Sequence, residues 1–195
     1  MKTIERTGVA SVLEGHITEV RRVLGDIPSG TVERVVEVVL DAHKRNRHVY
    51  ILGNGGSAST ASHFACDLAK ATIVHSRARL RVTALTDNVA LLTAWANDTS
   101  YDRVFAEQLV NLLNPGDVVM AISASGNSPN VLAAVAVARE RGALTVALVG
   151  CSGGALKTAV DVAVHVPSHD YGVVEDCHLV LEHAITASTR SALLV

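Results

Sequence analysis

Apolar residues recur through the first forty-five positions at the three- and four-residue spacing of amphipathic helices. One such stretch runs from about Ile4 to Leu24 and stops near Gly25 and Pro28. A second opens at Ser29 or Thr31, either of which suits an N-cap, and carries Val32, Val35, Val36, Val39 and Leu40 on one face. After Arg47 the period changes. HVYIL (48–52), LRVTAL (80–85), DVVMAI (117–122), LTVALV (144–149) and DVAVHV (161–166) are short, β-branched and mostly apolar on both faces, the pattern of strands covered on both sides. Helical stretches near 57–74, 88–113, 129–141 and 153–159 lie between them, and an amphipathic helix follows from about Val173 to Leu194. Strand–helix alternation of this kind predicts an α/β fold, a doubly wound five-stranded parallel sheet flanked by helices and preceded by a helical segment. The expected organisation is one domain over 1–195, with helices 1–46 used in assembly and 47–195 forming the α/β core and C-terminal helix.

In such sheets ligands bind beyond the carboxyl ends of the strands. The first strand ends in GNGGSAS (53–59) and the third in SASGNSPN (123–130), each running directly into a helix. Glycines allow a sharp turn and a close backbone approach, and Ser57 stands where free helix N–H groups can meet an anion. Ser123, Ser125 and Ser128 add three hydroxyls, and Pro129 suits a first helical turn. Neither loop contains GK[ST], and neither fits GxGxxG with a downstream acid, which argues against nucleoside triphosphates and dinucleotides. Either loop could be an ordinary capped turn. Two in one sheet, rich in hydroxyls and free of Lys and Arg, favour a phosphate monoester on a neutral polar molecule, such as a sugar phosphate.

Composition narrows the remaining classes. With 195 residues, 49% hydrophobic and 18% charged, the chain can bury a sizeable core. Aromatic residues are only 3%, so Ala, Val and Leu must build that core. A net charge of −2, no basic block and few stacking rings argue against nucleic acid as a partner. The N-terminal stretch, interrupted by Glu5, Glu14 and Glu19, does not read as a signal peptide, and no run of about 18 apolar residues suggests a membrane span. Cys66, Cys151 and Cys177 form no CxxC, which fits reduced thiols and a cytoplasmic location.

Acid–base or metal chemistry is suggested by two helices. His63 and Asp67 are four apart and share a face. Glu175, Asp176, His178, Glu182 and His183 crowd the last helix. Two imidazoles and two carboxylates suit Zn²⁺, another borderline divalent ion, or a general acid and base. The plainer readings are that Asp67 is an exposed partner of Lys70 and that Glu182 is a solvated helix residue.

GNGGSASTASHFACDL (53–68), TDN (86–88), ANDTSYDRVFAEQL (96–109), GDVVMAISASGNSPNVLAA (116–134), VPS (166–168) and EDCHLVLEH (175–183) resemble the phosphoheptose isomerases of the sugar isomerase (SIS) superfamily, over nearly the whole chain. The resemblance implies a homotetramer with active sites at subunit interfaces. It implies phosphate binding by Ser57, Ser123, Ser125 and Ser128 with the loop positions Asn54, Gly55, Gly56 and Ala124, and a sugar near Asn97 and Asp98. It places His63 and His183 at zinc-binding positions, with Asp67 and Glu175 completing the ligand set, and it makes Asp67, Glu175 and His183 the catalytic candidates. The chain departs from the family pattern at Asp67 (usually Glu), Glu175 (usually Gln), Val174 (commonly Arg) and Gly172 (in place of an Asp). The implied activity is an aldose–ketose isomerase converting sedoheptulose 7-phosphate to a D-glycero-heptose 7-phosphate through an enediol. The alternatives are a non-catalytic member that binds sugar phosphate or, like a replication-initiator-associating relative, protein. A sugar-sensing regulator would call for a DNA-binding helix–turn–helix, and the N-terminal segment has no basic recognition helix.

Overall fold

The computed structural model describes residues 6–75 and 77–195. The first expected helix therefore begins, among these, at Arg6; Ile4 and Glu5 lie outside the described residues. Helices α1 (Arg6–Gly25) and α2 (Ser29–Lys44) precede strand β1 (His48–Gly53). Then come α3 (Gly56–Lys70), β2 (Arg81–Ala84), α4 (Val89–Asp98), a short 3₁₀ turn (Tyr101–Arg103) and α5 (Ala106–Leu112). The remaining elements are β3 (Val118–Ser123), α6 (Pro129–Glu140), β4 (Leu144–Val149), α7 (Leu156–Ala159), β5 (Val162–His165) and α8 (Tyr171–Leu194).

The five strands are all parallel, in the order β2-β1-β3-β4-β5. Period-two alternation sorts their side chains into two cores. Val49, Ile51, Val118, Met120, Ile122, Val146 and Leu148 face α1, α2, α3 and α8. Tyr50, Leu52, Val119, Ala121, Ala147 and Val149 face the side of α4 to α7. Both faces are covered, which is why these strands carry apolar residues throughout.

Two expectations change in detail. The helix expected over 88–113 is divided into α4, the 3₁₀ turn and α5. Thr99 ends α4 by turning its hydroxyl back to the Trp95 carbonyl at 2.6 Å, a local bond that competes with helix continuation. Helix α2 starts at Ser29, but Pro28 occupies its N-cap without a side-chain bond, so neither Ser29 nor Thr31 caps it. Helix α8 does have a side-chain cap, Asp170 accepting from the Val173 N–H at 3.2 Å.

The connectivity decides where a ligand can sit. From β1 the chain moves outward to β2, then crosses back to β3 on the other side of β1. The two loops that follow β1 and β3 therefore diverge around one crevice, the switch point where open α/β sheets bind ligands. Both glycine- and serine-rich segments fall there.

Candidate active site

At the carboxyl end of β1, Gly53 and Asn54 lead through Gly55, at φ +54°, into α3. At the end of β3, Ser123, Ala124 and Ser125 lead through Gly126, at φ +67°, into α6. A side chain at Gly126 would be strained, and its Cβ would lie 2.5 Å from the Gly153 carbonyl carbon. The two loops are tied together. Asn54 donates its amide to Asn130 Oδ1 at 2.8 Å, and Asn130 donates back to Asn54 Oδ1 at 2.9 Å. The Tyr101 hydroxyl also donates to Asn54 Oδ1, at 3.0 Å. Asn130 is 1% exposed, so this exchange is shielded from water. It is a positioning element that the sequence reading missed.

The loops enclose a cleft of about 180 Å³. Asn54, Ser57, Ser123, Ala124, Ser125 and Ser128 all line it. Gly55 and Gly56 form the entry to α3 beside it. Ser123 and Ser128 hydroxyls stand 3.4 Å apart, and Ser123 and Ser125 also accept from the backbone N–H groups of Gly126 and Asn127, at 3.2 Å each. Tyr171 and Glu175, from the first turns of α8, complete the lining. Among the described residues, none that lines the cleft is basic.

Asn97 and Asp98 do not line this cleft. They sit exposed at the end of α4, where the Asn97 amide donates to Asp98 at 2.8 Å. Leu92, Trp95 and Ala96 pack α4 onto the same side of the sheet as α5, α6 and α7, with Asn97 and Asp98 in its last turn, outside the lining of the cleft.

Further along, α3 and α8 pack together. His63, Asp67, Glu182 and His183 meet there, with one donor atom from each lying within 4.8 Å of the others. His183 Nε2 is 3.7 Å from Asp67 Oδ2 and 3.2 Å from Glu182 Oε1. His63 Nδ1 is 3.6 Å from Glu182 Oε1, and its Nε2 is 3.8 Å from Asp67 Oδ2. The two rings stand edge-on, 5.0 Å between centroids.

This cluster differs from the expected set of four by one residue. Glu182, expected to be solvated, is fully buried, while Glu175 stands with the serine loops and is not in the cluster. The reason is axial. Seven residues of helix separate the two glutamates by about 10 Å, so both can face α3 yet meet different ends of it. Glu182 was named in the sequence, but only the depth of α8 against α3 shows that it points inward.

Neither oxygen of Glu182 has a hydrogen-bond partner among the described residues. Burial raises its pKa; His183 and His63 oppose the rise, and Asp67 adds to it. Unpartnered buried carboxylates are costly unless a proton or a cation compensates them. His63 and His183 remain about half exposed at the rim, so the cluster has a closed floor and an open mouth. The four donor atoms are close enough together that they could hold one divalent cation. His178, one turn earlier, is buried, and neither ring nitrogen is hydrogen-bonded. Burial pushes its pKa down to about 4, and the nearby Val149 backbone opposes the shift without closing a bond, so the ring is neutral at pH 7.

Comparison with known proteins gives a consistent picture. The SIS domain family model matches residues 16–150. The phosphoheptose isomerase of Citrifermentans bemidjiense is 36% identical over 187 residues, 96% of each chain. That of Mycobacterium tuberculosis is 43% identical over 155 residues, 80% of this chain and 79% of its own. Among solved structures, the phosphoheptose isomerase of Neisseria gonorrhoeae superposes with a TM-score of 0.87 at 32% identity, covering 95% of this chain and 98% of that one.

Proposed function

Because the chain belongs to the SIS domain family and, within it, to the phosphoheptose isomerases, we propose that its two polar sites are the two ends of one active site for sedoheptulose 7-phosphate. The protein is an isomerase, and the reaction interconverts this ketose and a D-glycero-heptose 7-phosphate. The observation that carries the site assignment is the spacing of cleft and cluster along α8. Glu175 marks the phosphate end and Glu182 with His183 the other, about 10–12 Å apart along the helix. Six C–C bonds of roughly 1.5 Å each let an extended seven-carbon chain cover most of that span, and a triose phosphate less than half of it.

Ser57, Ser123, Ser125 and Ser128 hold the phosphate, with the backbone of the Asn54–Gly56 loop. Carbons C1 and C2 then lie at the cluster. Asp67, the less buried of its two carboxylates, takes the proton from one carbon and returns it to the other. His183, at the open rim, moves a proton at the adjacent sugar oxygen. Glu175 is too near the phosphate end to serve as the base. The donor set fits a divalent ion, Zn²⁺ by its two imidazoles and two carboxylates. His63, Asp67, Glu182 and His183 would hold it, and its charge would polarise the sugar carbonyl.

Turnover in heavy water tests the reading. Solvent deuterium should enter at C1 or C2 of the heptose phosphate, because the base exchanges its proton with water. Absence of isomerised product from heptose, hexose and pentose phosphates alike would sink it and favour a binding protein.

The chain is read as a cytoplasmic homotetramer. No helix among the described residues is long and apolar enough to cross a membrane, and all three cysteines are free. Val9, Val12, Leu13 and Ile17 form an exposed apolar stripe on α1, between 50% and 74% accessible. A stripe of that kind is a usual subunit contact. Sedimentation at micromolar concentration should give a species larger than a monomer, and Val12→Lys with Leu13→Lys should shift it towards the monomer. A wild-type monomer contradicts the assembly.

A further inference from the structure

We infer that Asn127 is a positioning residue for phosphate: its side-chain amide ties the β3–α6 loop to the β4–α7 loop and so aims the Ser125 hydroxyl into the cleft. The inference rests on the reading of the two serine loops as the phosphate cradle.

Three hydrogen bonds define the role of Asn127. Its backbone N–H donates to Ser125 Oγ at 3.2 Å. Its Nδ2 donates to the Ser125 carbonyl, also at 3.2 Å. Its Oδ1 accepts from the Ala155 N–H, 28 positions away, at 2.9 Å. The partners fix which way the amide points, since a backbone N–H only donates and a carbonyl only accepts. Two backbone bonds run beside this tie. The Gly150 N–H donates to the Ala124 carbonyl at 3.0 Å, and the Leu156 N–H to the Gly126 carbonyl at 2.9 Å. Both can form whatever side chain stands at 127, so a substitution there removes the amide tie and leaves the loops in contact.

The consequence falls on Ser125, which lines the cleft. Its oxygen accepts from the Asn127 N–H, which leaves its own proton free to be donated elsewhere. A phosphate oxygen in the cleft is a suitable acceptor, and a hydroxyl donating to a charged group makes one of the stronger hydrogen bonds. Gly126, at φ +67°, stands between Ser125 and Asn127. Glycine has wide backbone freedom, so the peptide that follows Ser125 can rotate unless it is tied. The Nδ2–carbonyl bond spans the glycine, and the Ala155 bond anchors the amide that makes it. The hydroxyl is therefore set before the anion arrives, and less ordering accompanies binding. Asn127 is itself exposed and outside the cleft lining, so it acts through Ser125 and not on the phosphate. The Asn54–Asn130 exchange joins the two cradle loops to each other, whereas Asn127 joins the second of them to a third loop.

Titration calorimetry with inorganic phosphate on the assembled full-length protein tests this, with wild type, Asn127→Ala, Ser125→Ala and the double variant compared. Asn127→Ala should weaken phosphate binding roughly threefold to tenfold, and Ser125→Ala at least as much. Adding Asn127→Ala to Ser125→Ala should change Kd by less than about twofold, because the hydroxyl it positions is already gone. In turnover of the heptose phosphate, Asn127→Ala should raise KM by the factor seen for phosphate and leave kcat within about twofold, since the reacting carbons lie at the other end of the site. Unchanged phosphate binding in Asn127→Ala overturns the inference. Equal weakening in both backgrounds overturns it too, because a general structural role does not depend on Ser125, and so does a fall in kcat at unchanged KM. Absence of phosphate binding in every protein, wild type included, overturns the cradle reading beneath it instead.

Discussion

Replacing His183 with alanine should lower turnover of the heptose phosphate by roughly 10²–10⁴, the usual worth of a positioned acid or base. Inorganic phosphate should bind the variant nearly as well as wild type. The two expectations belong together because the two ends of the site are built from different parts of α8. His183 stands at the open rim of the cluster, 3.7 Å from Asp67. The serine loops are held by β1, β3 and the Asn54–Asn130 amide exchange, none of which touches His183. A variant that lost both turnover and phosphate binding would show a general collapse rather than a lost proton-transfer group. One that kept full turnover would move the acid role to another residue.

Divalent metal should have the largest effect on stability. In metal-free protein, Glu182 is a buried carboxylate with no hydrogen-bond partner among the described residues. Its pKa is raised by burial, so the folded state holds that proton more tightly than the unfolded chain. This group's contribution is therefore full below the ordinary carboxylate range and is lost as pH rises through the raised value. The metal-free protein should lose stability over that interval, and a bound cation should remove the loss. At a free-ion concentration a thousand times its dissociation constant, binding adds about 4 kcal/mol. For a chain of this size that is a rise of about 8–16 °C in melting temperature. Glu182→Leu should abolish most of the metal-induced rise while leaving the metal-free protein as stable as wild type or more so, because an apolar side chain replaces an uncompensated charge. Thermal scans of chelated and Zn²⁺-loaded samples near pH 7 give both numbers. A Glu182→Leu protein that still gains the full increment would exclude Glu182 from the ion's ligands.

The placement of Glu182 and Glu175 shows where sequence reading stops. Strands β1, β3 and β4 were legible because a strand buried on both faces needs apolar, β-branched residues at every position, and that requirement is local. The GNGGSAS and SASGNSPN loops were legible for a related reason. A tight turn into a helix demands glycine, serine or proline wherever it occurs, and the alternation of strand and helix already placed both loops at the same edge of the sheet. His63 and Asp67 could be paired because four residues of one helix fix their common face. Relations between elements were not available in this way. Asn130 gave no sign of reaching Asn54, since their hydrogen bonds span 76 positions. Asn97 and Asp98 sit beside recognisable motif residues, yet the last turn of α4 leaves them exposed and outside the cleft. The two glutamates of α8 have the same charge and nearly the same angular position, seven residues apart. Helical periodicity therefore treats them alike. Only the axial fit of α8 against α3 buries Glu182 between His63 and His183 and leaves Glu175 at the phosphate end, because that fit is set by side-chain packing across two helices over a hundred residues apart in the chain.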